Sequence, residues 1–285
     1  MFYKGRRQSS NVEDRRGMSS GRKVGIGGGI GTFIIVLIVW LLGGDPSQVM
    51  NIMQDQQTYT ETATDYQPTA HEQEITEFVS VVLADTEDVW HKLFEDSGLT
   101  YREPTLVLFS SATESACGFA QAAIGPFYCP GDEKVYIDLN FLEELQQRLG
   151  AQGDFAVAYI VAHEVGHHVQ KQLGVLEKVH NLRGQVSEKA FNEQNVNLEL
   201  QADFYAGIWA YHAQRMKNIL EEGDIEEAMN AAEAVGDDRI QKQSQGYVVP
   251  DSFTHGTSAQ RMEWFNRGFE TGNVNNGDTF TKNAI

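Results

Sequence analysis

Residues 24–43 read VGIGGGIGTFIIVLIVWLLG, twenty residues without a charge. That is about the length that crosses a bilayer as a helix. The first half is rich in glycine and a poor helix former. The dense apolar part, 30–42, also matches the hydrophobic region of a signal peptide. Three features favour an uncleaved anchor: a long basic head, Trp40 placed where an interfacial aromatic helps, and GGDPSQ where a small-x-small cleavage site would stand. A buried core helix is a third reading, disfavoured by the polar flanks. Residues 1–23 carry Lys4, Arg6, Arg7, Arg15, Arg16, Arg22 and Lys23 against Glu13 and Asp14, a balance of +5, so the remainder of this chain of net charge −18 carries −23. Basic residues stay on the cytoplasmic side of a span. The expected organisation is therefore a cytoplasmic basic head over 1–23, a single transmembrane helix over 24–43, a polar tether over 44–70, a folded domain over 71–272 outside the cytoplasm (the periplasm in a Gram-negative cell), and a flexible tail over 273–285.

A body this acidic excludes nucleic acid as a natural partner, because phosphate binding needs a basic face. With 41% hydrophobic and 22% charged residues the chain supports an ordinary packed core. Its two cysteines, Cys117 and Cys129, bracket GFAQAAIGPFY. In an oxidising compartment they pair; reduced buried thiols are the alternative, and neither has the CxxC neighbour of a zinc site. The pattern predicts an amphipathic helix over 74–94, strands over 105–109 and 135–139, a short polar helix over 140–149, and further helices over 154–173, 193–219 and 222–234. The fold class is α+β and mostly helical, with a small sheet ahead of the central helix.

That central helix holds VAHEVGHHVQ. His163 and His167 are four apart, so they share one helical face and can grip one Zn²⁺. Glu164 is placed to take a proton from an attacking water rather than to bind the metal. The residues before the motif, Ile160, Val161 and Ala162, are apolar, so the site is buried, and two buried histidines beside a carboxylate are costly without a metal or other partners. Gly166 lets another backbone approach. The motif lacks the metzincin extension, since Gln170 and Leu173 stand at its glycine and histidine positions. A third ligand comes instead from NLELQADFYAGIW: Glu199, with Asp203 four residues on as acceptor for a ligand N–H. His212 lies on the far side of that helix, His168 points away from the metal, and His180, Glu188 and Glu193 have no matching partner. Two histidines and a glutamate leave the fourth position open, as catalytic zinc sites do.

HEVGHH followed by ELQAD resembles the gluzincin metallopeptidases, and E-x-x-A-D is similar to the second motif of the CAAX prenyl protease group that includes HtpX. SFTHGTSAQRM resembles that group's T-H-P-x-x-x-x-R segment, with Gly256 in place of proline. GRRQSSNVEDRRG and GPFYCPGDEKVYIDLNF are similar to a narrower bacterial family, the YpfJ-like neutral zinc metallopeptidases. The resemblance runs over most of the chain. It implies a zincin-like metallopeptidase domain with one zinc per chain at the ligands above, and it makes His255 a candidate to stabilise an oxyanion. Arg261 or a tyrosine is a second candidate for that role. The expected partners are a peptide or protein substrate and, through the span, a membrane. Tyr136 and its neighbours are expected to form an edge strand that pairs with an extended peptide. A membrane-tethered binding or assembly protein with a structural zinc, and a hydrolase acting on a non-peptide amide, are the alternatives. Oligomeric state and substrate identity are not legible.

Overall fold

A computed structural model of the chain describes residues 1–17, 66–121, 125–139, 141 and 153–281. The expected span, nearly all of the tether and the short helix over 140–149 lie outside these residues, as does the end of the tail. Among the described residues no helix is long and apolar enough to cross a membrane.

The body is mostly helical with a small mixed sheet. Helix α1, Ala70–Asp96, starts on a capping box in which the Thr69 hydroxyl accepts from the Glu72 N–H and the Glu72 carboxylate accepts from the Thr69 N–H. Strand β2, Thr105–Phe109, and strand β6, Lys134–Asp138, run parallel, with Leu106 opposite Val135 and Leu108 opposite Ile137. Between them in sequence come a hairpin of β3, Ala112–Ser115, and β4, Gly118–Gln121, and then β5, Phe127–Cys129, which pairs antiparallel with β6. A disulfide joins Cys117 to Cys129 (Cα–Cα 5.8 Å) and ties the hairpin to β5.

Helix α2, Asp154–Gln172, follows the sheet. It is apolar nearly all round, so it has no solvated face, and Phe155, Ala158, Val161, Val165 and Val169 are fully buried. It packs on α1, β5 and β6 and on two later helices, α4, Glu188–Lys217, and α5, Asp224–Ala234. The short α3, Val175–His180, links α2 to α4. After α5 come α6, Asp237–Gln245, and α7, Ser258–Thr271, which lies along α4. Phe155 stacks on Trp209 at 5.7 Å, and Phe204 meets Trp264 edge-on at 6.1 Å. Burying each such side chain contributes roughly 1.5–3 kcal/mol or more.

Three expectations are corrected here. The strand holding Tyr136 is not an edge: β6 lies between β2 and β5, and Tyr136 is buried with its ring stacked on Phe127 at 4.8 Å. The tail is docked as far as residue 280, because Thr279 donates to the Asn197 carbonyl at 2.6 Å and Gln201 donates to the Gly277 carbonyl at 2.8 Å. Its polar composition reflects backbone and hydroxyl groups that satisfy α4, not fraying.

The third correction concerns the basic head. Residues 1–17 form part of the body instead of a separate segment. Val12–Asp14 is strand β1, parallel to β2, with Val12 opposite Leu106 and Asp14 opposite Leu108. Arg6 lies 2.7 Å from the buried Asp85, Arg7 lies 3.0 Å from Glu87, and Lys4 lies 3.0 Å from Glu74, all three carboxylates on α1. Arg15 and Arg16 pair with Glu13 and Asp14. The five basic side chains described in the head are therefore paired with carboxylates, three of them with carboxylates of the body.

Candidate metal centre

One side of α2 faces α4 across a close crossing. Gly166 makes this possible: a Cβ there would sit 3.0 Å from the Ala202 carbonyl oxygen and 3.1 Å from the Ala202 Cα. At this crossing His163 and His167 of α2 converge on Glu199 of α4. His163 Nε2 is 3.1 Å from Glu199 Oε2, and His167 Nε2 is 3.5 Å from Glu199 Oε1. Two ligands of a tetrahedral zinc, each about 2.0–2.1 Å from the ion, lie about 3.3 Å apart. The three side chains each offer a donor atom within 4.8 Å of the others.

The far nitrogens of both imidazoles are tied down. His163 Nδ1 meets Asp203 Oδ1 at 2.7 Å, and His167 Nδ1 meets Gln170 Oε1 at 2.9 Å. With Nδ1 bonded from behind, each ring directs its Nε2 at Glu199, which is the orientation a metal ligand needs once Nε2 is deprotonated. The donor set thus fits a zinc ion at its open face. Burial alone would pull the His163 pKa down, but the Asp203 and Glu199 carboxylates outweigh it and push the pKa up to about 10. His167 is likewise raised, against its burial, chiefly by Glu199. Glu199 is held well below the carboxylate range by the two histidines, which overcome its burial.

Asp203 is itself fixed. Arg261 of α7 grips it with two bonds, Nε to Oδ2 at 2.7 Å and Nη2 to Oδ1 at 2.9 Å, and the Tyr159 hydroxyl donates to Oδ1 at 2.5 Å. All three groups are buried. Burial opposes ionisation of Asp203, but Arg261 and His163 win and bring its pKa to about 2. Arg261 is consequently occupied behind His163 and is not an oxyanion donor, which corrects the second candidate for that role. Glu164 follows His163 directly and is buried, 8% exposed.

His255 lies in the turn between α6 and α7, and its side chain is 37% exposed. The buried Asp237 carboxylate accepts from the backbone N–H groups of Thr254, His255 and Gly256, at 2.8, 2.7 and 3.1 Å. Its other oxygen is 3.3 Å from His255 Nδ1. Burial lowers the His255 pKa, but Asp237 and Glu199 outweigh it and raise the pKa overall. Gly256 has φ +92°, a conformation closed to proline, whose ring fixes φ near −65°. The departure from the T-H-P pattern is thus a different turn, and here Asp237 holds it. Of the other histidines, His180 has its pKa lowered by burial, then by Arg183, then by His167, which lies near enough to act on it. His168 is fully buried between the Tyr128 hydroxyl and the Arg102 carbonyl, and His212 bonds the Gly272 carbonyl.

Sequence reasoning missed Gln170, Asp237 and Tyr159. Tyr159 had a signal, since it lies one turn before His163 on the same face. Gln170 was noted only as a residue that excludes another class. Nothing local marked Asp237, whose role depends on a turn eighteen residues away.

Fold and site together define a helical domain in which an H-E-x-x-H helix meets a glutamate from a second helix. The family described as "Putative neutral zinc metallopeptidase" matches residues 1–280, and the chain belongs to it. It is 47% identical to the Escherichia coli K12 protein YpfJ over 99% of both chains. It is 44% identical to the Mycobacterium bovis protein Mb2605 over 64% of each. Both relatives are named as uncharacterized proteins. No solved structure matches.

Proposed function

We propose that the protein is a zinc-dependent peptidase in which His163, His167 and Glu199 hold one zinc ion and Glu164 moves the proton. The observation that carries this reading is the convergence of both Nε2 atoms on one carboxylate while both Nδ1 atoms are held from behind. A bound zinc supplies Lewis acidity: it lowers the pKa of a water ligand and polarises the scissile carbonyl. Glu164 accepts the proton of the attacking water and delivers it to the leaving amine nitrogen. Asp203 keeps His163 in the tautomer that ligates, and Arg261 and Tyr159 keep Asp203 ionised and fixed. His255, raised in pKa and poised by Asp237, donates to the oxyanion of the tetrahedral intermediate. Backbone groups for an extended peptide come from β5, the sheet edge that packs against α2. The disulfide favours work in an oxidising compartment, outside the cytoplasm.

The test is hydrolysis of a mixed peptide library by the zinc-loaded full chain, read by mass spectrometry, beside Glu164→Gln. Loss of cleavage by at least a hundredfold with one zinc retained is expected. Cleavage by Glu164→Gln at the wild-type rate would remove the proposed role of Glu164.

A further inference from the structure

Two buried amides beside the metal centre, Gln170 of α2 and Gln201 of α4, have no part in the chemistry above. Their partners fix which way each amide points, because a backbone carbonyl can only accept a hydrogen bond. The Gln170 nitrogen donates to the Leu198 carbonyl at 2.7 Å and to Gln201 Oε1 at 3.1 Å, which uses both of its hydrogens. Its oxygen is therefore the atom that meets His167 Nδ1 at 2.9 Å, and there it accepts. Gln201 is oriented in the same way, since its nitrogen donates to the Gly277 carbonyl at 2.8 Å. The result is a chain of one polarity: His167 Nδ1–H donates to Gln170, Gln170 to Gln201, and Gln201 to Gly277. Turning Gln170 over would set its oxygen against two acceptors, the Leu198 carbonyl and Gln201 Oε1, in a buried place where unpaired polar groups are costly.

The far end of this chain is also fixed. Gly277 follows the short turn Val274–Asn276 and lies against the fully buried ring of Phe204. A Cβ on Gly277 would sit 2.4 Å from Phe204 Cε1, so any side chain there displaces the segment and its carbonyl. We propose that Gln170 and Gln201 are positioning residues through which the C-terminal segment at Gly277 holds His167 ready as a metal ligand, with Nδ1–H pointing back into the chain and Nε2 facing Glu199. Asp203 orients His163 with a charge, whereas this chain orients His167 with neutral amides only. The inference rests on the reading of His163, His167 and Glu199 as a zinc centre.

The test is zinc affinity by chelator competition on the full chain, wild type beside Gln170→Met, Gln201→Met and Gly277→Ala, each checked for folding by circular dichroism. Gln241→Met is the control: it removes an equally buried amide, bonded to Ser252 and Val249, that lies outside the chain. Affinity should fall by about 10–100-fold in Gln170→Met, as for other groups that hold a ligand from behind. It should fall in Gln201→Met and Gly277→Ala as well, and stay at the wild-type value in Gln241→Met. The double variant Gln170→Met with Gln201→Met should bind zinc no more weakly than Gln170→Met alone, because both act through one bond to His167. Wild-type affinity in any folded one of the three variants would overturn the proposal. So would additive losses in the double variant, or an equal loss in Gln241→Met. A wild-type chain that binds no zinc would remove the zinc-centre reading, and this inference with it.

Discussion

At the scale of single residues, the proposed centre is built on a relay of fixed acceptors: Asp203 behind His163 and Gln170 behind His167. Zinc binds only neutral imidazole, and in the metal-free protein His163 keeps its proton up to a pKa of about 10. Zinc uptake near neutral pH must therefore expel that proton. The sign follows: affinity rises with pH, by about tenfold per unit for each proton displaced, and falls as the solution is acidified. Zinc competition titrations between pH 6 and 8 check this, and a pH-independent affinity would contradict it. Asp203→Asn removes the carboxylate that orients His163 and leaves Arg261 without its charged partner. Zinc affinity should fall by about 10–100-fold, as for other groups that hold a ligand from behind. A chelator competition assay reads this, and an unchanged affinity would show that Asp203 does not act through the imidazole.

At the scale of elements, the site depends on how closely α2 and α4 cross. Gly166→Val would drive a branched side chain into the Ala202 backbone, from which even a Cβ is only 3.0 Å away. Overpacking of this kind costs about 1–3 kcal/mol. Separation of the helices also carries Glu199 away from both histidines, so zinc should be lost even where the variant remains folded by circular dichroism. A folded variant with full zinc would mean that the crossing does not set the site. The two helices were legible because each has a strong pattern: α2 is a long apolar run, and the Glu199–Asp203 pair of α4 repeats at four. The strands β1, β3, β4 and β5 were not legible. VED in β1 is short and charged, and its strand character comes from pairing with β2, which lies far along the chain. Helix α7 was hidden behind a motif read for His255 and Arg261, although Thr257 and Gln260 cap it with a regular box.

At the scale of the whole molecule, charge counted segment by segment says nothing of which charges pair. The basic head and the acidic body look like the two sides of a membrane when their charges are counted separately. Among the described residues, Lys4, Arg6 and Arg7 of the head pair with Glu74, Asp85 and Glu87 of the body, and Asp85 also takes Lys217 of the body. The convergence of His163, His167 and Glu199, by contrast, was legible in the spacing, because H-E-x-x-H and E-x-x-x-D each put their residues on one helical face. Everything built on the site rests on one claim, that His163, His167 and Glu199 bind a single zinc ion. The direct measurement is zinc content by mass spectrometry on the purified full chain, after zinc loading and removal of excess metal, beside His163→Ala and Glu199→Ala. The account predicts one zinc per wild-type chain and its loss from both folded variants; a wild-type chain that emerges without zinc, or a Glu199→Ala chain that keeps it at full occupancy, would contradict it.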